Sequence, residues 1–214
     1  NQSIIKFDHE KNFKNDDFYI SKSNKHVFDF LNLWPKWERN FVNIIGDKFA
    51  GKSHLMNIFL KKNKGIKLSA DSLKNDDLKK LKIYENIIIE NLTSKIDEKL
   101  LYSLLNIVEQ DNKYILITSI YSIVDLKFDL EDLKSRVKNF ILLKLEKPDD
   151  ELIFAIIIKN LSDRQVSLDN KLINYISRRI ERSYSKIYDF IYKIDQLSLK
   201  KKKSIDLKII KEVL

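Results

Sequence analysis

The sequence predicts an α/β base with a parallel sheet covered by helices on both faces, followed by a small all-helical domain. Three observations carry that expectation. A loop rich in required residues, 46–53, stands between an apolar strand and an apolar-periodic helix. Further apolar runs of strand length alternate with helical patterns up to residue 147, as they do in a parallel sheet with crossover helices. Beyond Pro148 only helical periodicity remains. The expected boundaries are a polar tail over 1–17, the base over 18–147 and a helical lid over 148–214.

Taken in order, Ser23 and Asn24 open a helix carrying Val27, Phe28, Phe30 and Leu31, which Pro35 ends. Trp34 and Trp37 flank that proline and read as a packed hinge. Residues 41–45 form the first strand, and Leu55, Met56, Ile58, Phe59 and Leu60 mark the helix after the loop. Residues 66–68 read as a short strand and 71–81 as a charged connection or helix. Asn86 to Asn91 is a buried strand ending in a carboxylate, Glu90. A helix over 99–110, a strand over 114–119, a short helix over 129–138 and a strand over 140–143 complete the base. In the lid, Asp149 caps a helix over 151–161 and Asp169 caps one over 170–181. Ser183 opens a segment to Leu199, four lysines (200–203) read as a solvated turn, and 205–214 is a last helix.

The loop fits G-x-x-x-x-G-K-[ST], with Gly46, Gly51, Lys52 and Ser53 at the fixed places. Glycines let backbone N–H groups approach a phosphate chain, the lysine reaches the β/γ-phosphates, and the hydroxyl serves Mg²⁺. The chain has only three glycines, and two of them fall on required positions of this motif. The nucleotide contacts are therefore expected from Gly46, Asp47, Lys48, Phe49, Ala50, Gly51, Lys52, Ser53 and His54. Glu90 is the carboxylate expected to hold Mg²⁺ with Ser53. Asn91 stands where a second acid would orient the attacking water and cannot accept a proton, so intrinsic hydrolysis is expected to be weak or absent. Arg136, on a helix at the edge of the base, reads either as a surface ion-pair arginine or as a cation for a neighbour's γ-phosphate.

Bulk properties narrow the classes. The chain has no cysteine, so it has neither disulfides nor thiolate metal sites, and its three histidines share no ligand spacing. No apolar run approaches a membrane span and the start lacks the form of a signal peptide, so a cytoplasmic protein is expected. A net charge of +9 is compatible with weak DNA contact, but the lysines are spread among acids.

With these residues in view, the chain resembles the DnaA family of AAA+ proteins, and within it the regulatory, Hda-type branch. The loop 46–55, the strand 115–119 and the segment 129–136 carry the resemblance, together with Asp163-Arg164-Gln165 and residues 178–183 in the lid. It implies bound ADP or ATP with Mg²⁺, a sensor region at Thr118 and Ser119, and Arg136 as an arginine finger acting in trans. It also implies that Gln2, Ile5 and Phe7 grip the DNA polymerase sliding clamp, with Ser3 in place of a leucine. Departures include Ile120 where the initiator's sensor strand is followed by an acid. Ser185 stands at the lid's sensor arginine, with Arg182 one turn earlier as a substitute. No segment resembles the initiator's DNA-binding domain, from which a reduced regulator of DnaA is expected. A DNA-binding AAA+ ATPase that remodels other replication factors is the alternative, and a homodimer stays open.

Overall fold

The computed structural model of the chain describes residues 18–166 and 168–214. Five parallel strands form one sheet: β1 (Phe41–Ile45), β2 (Gly65–Ser69), β3 (Asn86–Leu92), β4 (Tyr114–Ser119) and β5 (Ile141–Lys144). Their spatial order is β2-β3-β4-β1-β5. The helices of the base are α1 (Lys25–Asn32), α2 (Lys52–Lys62), α3 (Asn75–Leu81), α4 (Glu98–Gln110) and α5 (Glu131–Val137). The remaining helices are α6 (Asp150–Ser162), α7 (Asn170–Ser177), α8 (Tyr184–Lys201) and α9 (Leu207–Val213). The expected α/β architecture with helices after Pro148 is what the chain forms.

Alternation along the strands sorts the apolar side chains onto two faces. Ile87, Ile89, Ile115 and Ile117 face α4 and α5, where Leu101, Leu104, Leu105 and Leu133 are fully buried. Val42, Ile44, Ile88 and Leu116 face the other way, against Val27 and Leu31 of α1 and Leu55, Met56 and Phe59 of α2. Trp37 packs there too, stacked between Phe30 and Phe59 and donating its indole N–H to the Phe30 carbonyl at 2.8 Å. The C-terminal helices keep a core of their own, built on Ile153, Ile157, Ile176, Ile187, Ile191 and Ile210. Among the described residues no helix is long and apolar enough to cross a membrane.

The edge strand β2 lies so close to β3 that a Cβ at Gly65 would meet the Asn86 carbonyl oxygen at 2.5 Å, which accounts for the third glycine. Two lid elements differ from expectation. The helix expected to reach residue 181 stops at Ser177, because the N–H groups of Arg179 and Ile180 turn back to the Ile176 carbonyl and carry Ile180 into the core. The lysine run is not all turn. Lys200 and Lys201 complete α8, and Lys202 takes the left-handed conformation (φ 50°) that ends it.

The junction between base and C-terminal helices is strapped. The Asp149 carboxylate caps α6 through the Leu152 N–H (2.8 Å) and also accepts the Ser23 N–H (3.2 Å). The Glu146 N–H returns to the Ser23 carbonyl at 3.1 Å. Tyr184, at the start of α8, donates its hydroxyl to the Glu146 carbonyl at 3.0 Å, and burial pushes that phenol up to about 12.

One polar residue sits in the middle of the sheet. Asn43 of β1 is fully buried; its amide donates to the Ile117 carbonyl (3.0 Å) and the Ser119 hydroxyl (2.9 Å) and accepts the Ile123 N–H (2.9 Å). Replacing it with Ala strands the Ile123 donor, and an unsatisfied buried group costs about 1–3 kcal/mol. Asn43→Ala is expected to lower the free energy of unfolding by that amount, read as a lower urea midpoint with an unchanged slope. Asn40→Ala, which removes only an exposed bond to Asn112, is expected to leave the midpoint in place.

Candidate nucleotide-binding site

β1 hands the chain to Gly46, whose N–H is bonded to the Ser119 carbonyl at 3.2 Å. The loop then turns on a bond from the Ala50 N–H to the Asp47 carbonyl, with Phe49 (φ 69°) and Gly51 (φ 93°) both left-handed. Left-handed residues in a tight loop turn successive N–H groups to one concave side, the form that cradles a phosphate. α2 starts directly at Lys52, so its N-terminal N–H groups and the positive end of its dipole point to the same place. Gly51 has a second reason to be glycine, since a Cβ would stand 3.2 Å from the Phe18 ring.

Lys52 is buried, and its ammonium donates to the Gly46 carbonyl (2.5 Å) and the Asp47 carbonyl (2.8 Å). Burial pulls its pKa below the ordinary lysine value, opposed by the charges of Asp47 and Glu90. The cation is thus stationed in the mouth of the loop, held by groups that a phosphate oxygen outbids.

Beside the loop lies a cavity of about 400 Å³. The segment Phe18 to Ile20 forms one wall, the loop from Phe49 to His54 a second, and α6 and α8 the third, with Ile156 and Tyr188. Its surfaces are aromatic: Phe18 meets His54 edge-on at 5.4 Å, and Phe49 meets Tyr188 at 5.1 Å. Lys48 lies over the Phe49 ring at 5.1 Å. An apolar, aromatic cleft opening next to a phosphate cradle suits a planar base attached to a phosphate chain.

The strand ends beside the loop are laced together. Asn91 sits in the left-handed region (φ 60°), where the β3–β4 register shifts, and its N–H is bonded to the Thr118 hydroxyl at 3.1 Å. Thr118 and Ser119, the expected sensor pair, are both buried. Glu90 is placed differently from the expectation. One carboxylate oxygen is ion-paired with Lys67 of β2 at 3.3 Å, and Lys67 is anchored by the Asn57 carbonyl of α2 at 2.6 Å. The other oxygen is sealed from solvent and has no hydrogen-bond partner among the described residues. A Mg²⁺ held through water needs an acceptor that water can touch. In Glu90 one oxygen is held by Lys67, in a side chain that keeps 14% exposure, and the other is enclosed by protein.

Two further expected residues stand away from the cavity. Arg182 is exposed and paired with Asp150 at 2.9 Å; it does not line the cleft. Arg136, in the last turn of α5, is ion-paired with Glu109 at the end of α4 and lies over the Tyr102 ring at 5.3 Å. α4 and α5 lead into the starts of β4 and β5, whereas the loop follows the end of the parallel β1. Arg136 therefore lies toward the opposite ends of the strands from Lys52. Gln2, Ile5 and Phe7 lie outside the described residues. Sequence reasoning missed Phe18, Ile156, Tyr188 and Lys67, and nothing in the local pattern marks them.

Comparison with known proteins fits this geometry. Domain III of the replication initiation protein DnaA from Thermotoga maritima superposes with a TM-score of 0.75, at 19% identity, over 95% of this chain and 96% of that one. The chain shares the fold of that domain. AMPPCP-bound DnaA from Aquifex aeolicus superposes at 0.68 with 19% identity, over 90% of this chain and 69% of that one. The Thermotoga maritima RuvB Holliday junction branch migration motor does so at 0.67 with 18% identity, over 91% and 68%. In sequence, the chain is 23% identical over 231 residues to the chromosomal replication initiator protein DnaA of Buchnera aphidicola subsp. Cinara cedri, a distant relative. The match covers 95% of this chain and 53% of the relative, so the chain spans about half the relative's length. No family model matches.

Gly51→Ala in this AAA+ fold forces an L-residue into left-handed backbone against Phe18, a cost of about 1–2 kcal/mol from the backbone alone. The expected readout is a lower urea midpoint, larger than the change produced by Lys48→Ala in the same exposed loop.

Proposed function

We propose that this chain is an Hda-like regulator of replication initiation. It binds adenine nucleotide at the loop 46–53, docks on the sliding clamp through Gln2, Ile5 and Phe7, and presents Arg136 to ATP held by DnaA. The observation that carries the reading is the pairing of a lysine-tipped, left-handed loop with an aromatic cleft at one end of the strands, while a cation stands toward the other end. The distant likeness to DnaA supports the choice of pathway.

On this reading the loop N–H groups and the start of α2 hold the phosphates, and Lys52 exchanges its two carbonyl partners for phosphate oxygens. The base enters between Phe18, Ile156 and Tyr188. Asn91 supplies no proton acceptor, and its backbone occupies the Thr118 hydroxyl, so bound ATP meets no group able to activate water. Nucleotide then acts as a ligand that sets the arrangement of base and lid. Arg136 must leave Glu109 to reach a partner's triphosphate. Glu109 is exposed but the Arg136 side chain is 20% exposed and lies over Tyr102, so release costs more than the about 0–1 kcal/mol of a fully exposed pair. An arginine at a developing γ-phosphate charge accelerates hydrolysis by about 10³–10⁵ in the best cases.

The test is ATP hydrolysis by DnaA in the presence of clamp-loaded DNA. The wild-type chain is expected to accelerate it, and Arg136→Ala to lose at least about tenfold of the acceleration. Lys134→Ala on the same helix is expected to keep it. Equal acceleration by wild type and Arg136→Ala sinks the finger role. Lys52→Ala is expected to weaken binding of a fluorescent adenine nucleotide by about 100-fold or more.

A further inference from the structure

The cation beside Glu90 sits where no general pattern for this loop would place one. β2 pairs with β3 in the register Lys67↔Ile88 and Ser69↔Glu90, so Lys67, Ile88 and Glu90 all project from the sheet face that α2 covers. α2 supplies the third member, Asn57, one turn below Ser53. Its side-chain carbonyl takes the Lys67 ammonium at 2.6 Å, and Glu90 takes it at 3.3 Å. The three residues come from three elements and close on one another under the phosphate loop. Lys67 and Glu90 are both largely withdrawn from solvent, with side chains 30% and 14% exposed. A lysine held this way is fixed in position by two partners, unlike a mobile surface ammonium.

The pair alters the electrostatics that a divalent cation would need. A Mg²⁺ at a phosphate loop leans on a carboxylate whose charge is free and whose oxygens accept from metal-bound water. Here the charge of Glu90 is already matched by Lys67. Its remaining oxygen faces protein, and Asn91 brings an amide where a second acid would stand. Meanwhile the Lys52 ammonium, together with the start of α2, already gives the pocket positive charge for polyphosphate.

We propose that the chain binds its nucleotide without Mg²⁺, because Lys67 already neutralises Glu90 within the fold and leaves that carboxylate no charge to offer a divalent cation. The inference rests on the nucleotide reading of the loop and names what that site requires. Glu90 is then the anchor of an ammonium, and Asn57 the residue that keeps it in place.

The test measures the affinity of a fluorescent ATP analogue, mant-ATP, for the full chain in excess MgCl₂ and in excess EDTA. The wild-type dissociation constants are expected to agree within about threefold. Lys67→Met frees the Glu90 carboxylate, and Mg²⁺ is then expected to tighten binding by about tenfold or more. Combining Lys67→Met with Glu90→Gln is expected to remove that new dependence. Tight wild-type binding that falls by about tenfold or more in EDTA overturns this inference and leaves the nucleotide reading standing. A Lys67→Met chain as indifferent to Mg²⁺ as wild type overturns the role of Lys67. No binding in either buffer overturns the nucleotide reading, and this inference with it. The wild-type comparison decides the matter by itself if Lys67→Met fails to fold.

Discussion

Asn43 places a whole amide in a buried inner strand of the sheet, and every one of its polar atoms has to find a partner there. The partners it finds are the carbonyl of Ile117, the hydroxyl of Ser119 and the N–H of Ile123. That requirement fixes where β4 ends and how the chain leaves it. The Gly46 N–H adds a bond to the Ser119 carbonyl, and the Asn91 N–H adds one to Thr118. The ends of β1, β3 and β4 are thereby laced side by side. The phosphate loop departs from a rigid ledge, which a site that must hold charged groups at defined distances demands.

Around that ledge the charges are arranged by burial as much as by contact. Lys52 lies in the loop mouth with a depressed pKa, and Lys67 lies deeper with Glu90 and Asn57. The aromatic cleft is set where the core beneath α1 and α2 meets the core of the C-terminal helices, and Ile156 touches both. Those helices contribute Leu152 and Tyr184 to the first of these cores and otherwise bury their apolar faces against each other. A body with its own core and a narrow apolar join can change its angle without unpacking.

Much of this was legible in the residues. The strand before the loop, the helix after it and the unbroken apolar runs around Ile88 and Leu116 made the sheet readable, because a strand buried on both faces leaves a direct trace in sequence. The caps at Asp149 and Asp169 were legible because a carboxylate before a helical run has one common use. The end of α7 was not, since Ile180 continues the helical period while the backbone has already turned. At the site, Lys52 was readable from its motif and Tyr188 was not. Lining a cleft is a property of where α8 lands, and Phe49 and Tyr188, far apart in the chain, meet there. Lys67 was the hardest case. A lysine in a short strand looks like a solvated edge residue, and only the parallel register with β3 turns it toward Glu90. That register is a long-range property with no local signature.

The strap at residues 21–24 has a mechanical outcome. Ser23 is stitched to Glu146 and Asp149, at the crossing into α6, and the same stretch of backbone begins at Phe18, which closes one side of the cleft. Wall and pivot are one piece of chain. Whatever wedges against the Phe18 ring leans, a few residues later, on the joint about which α6 swings, so filling and posture are geared together by covalent bonds.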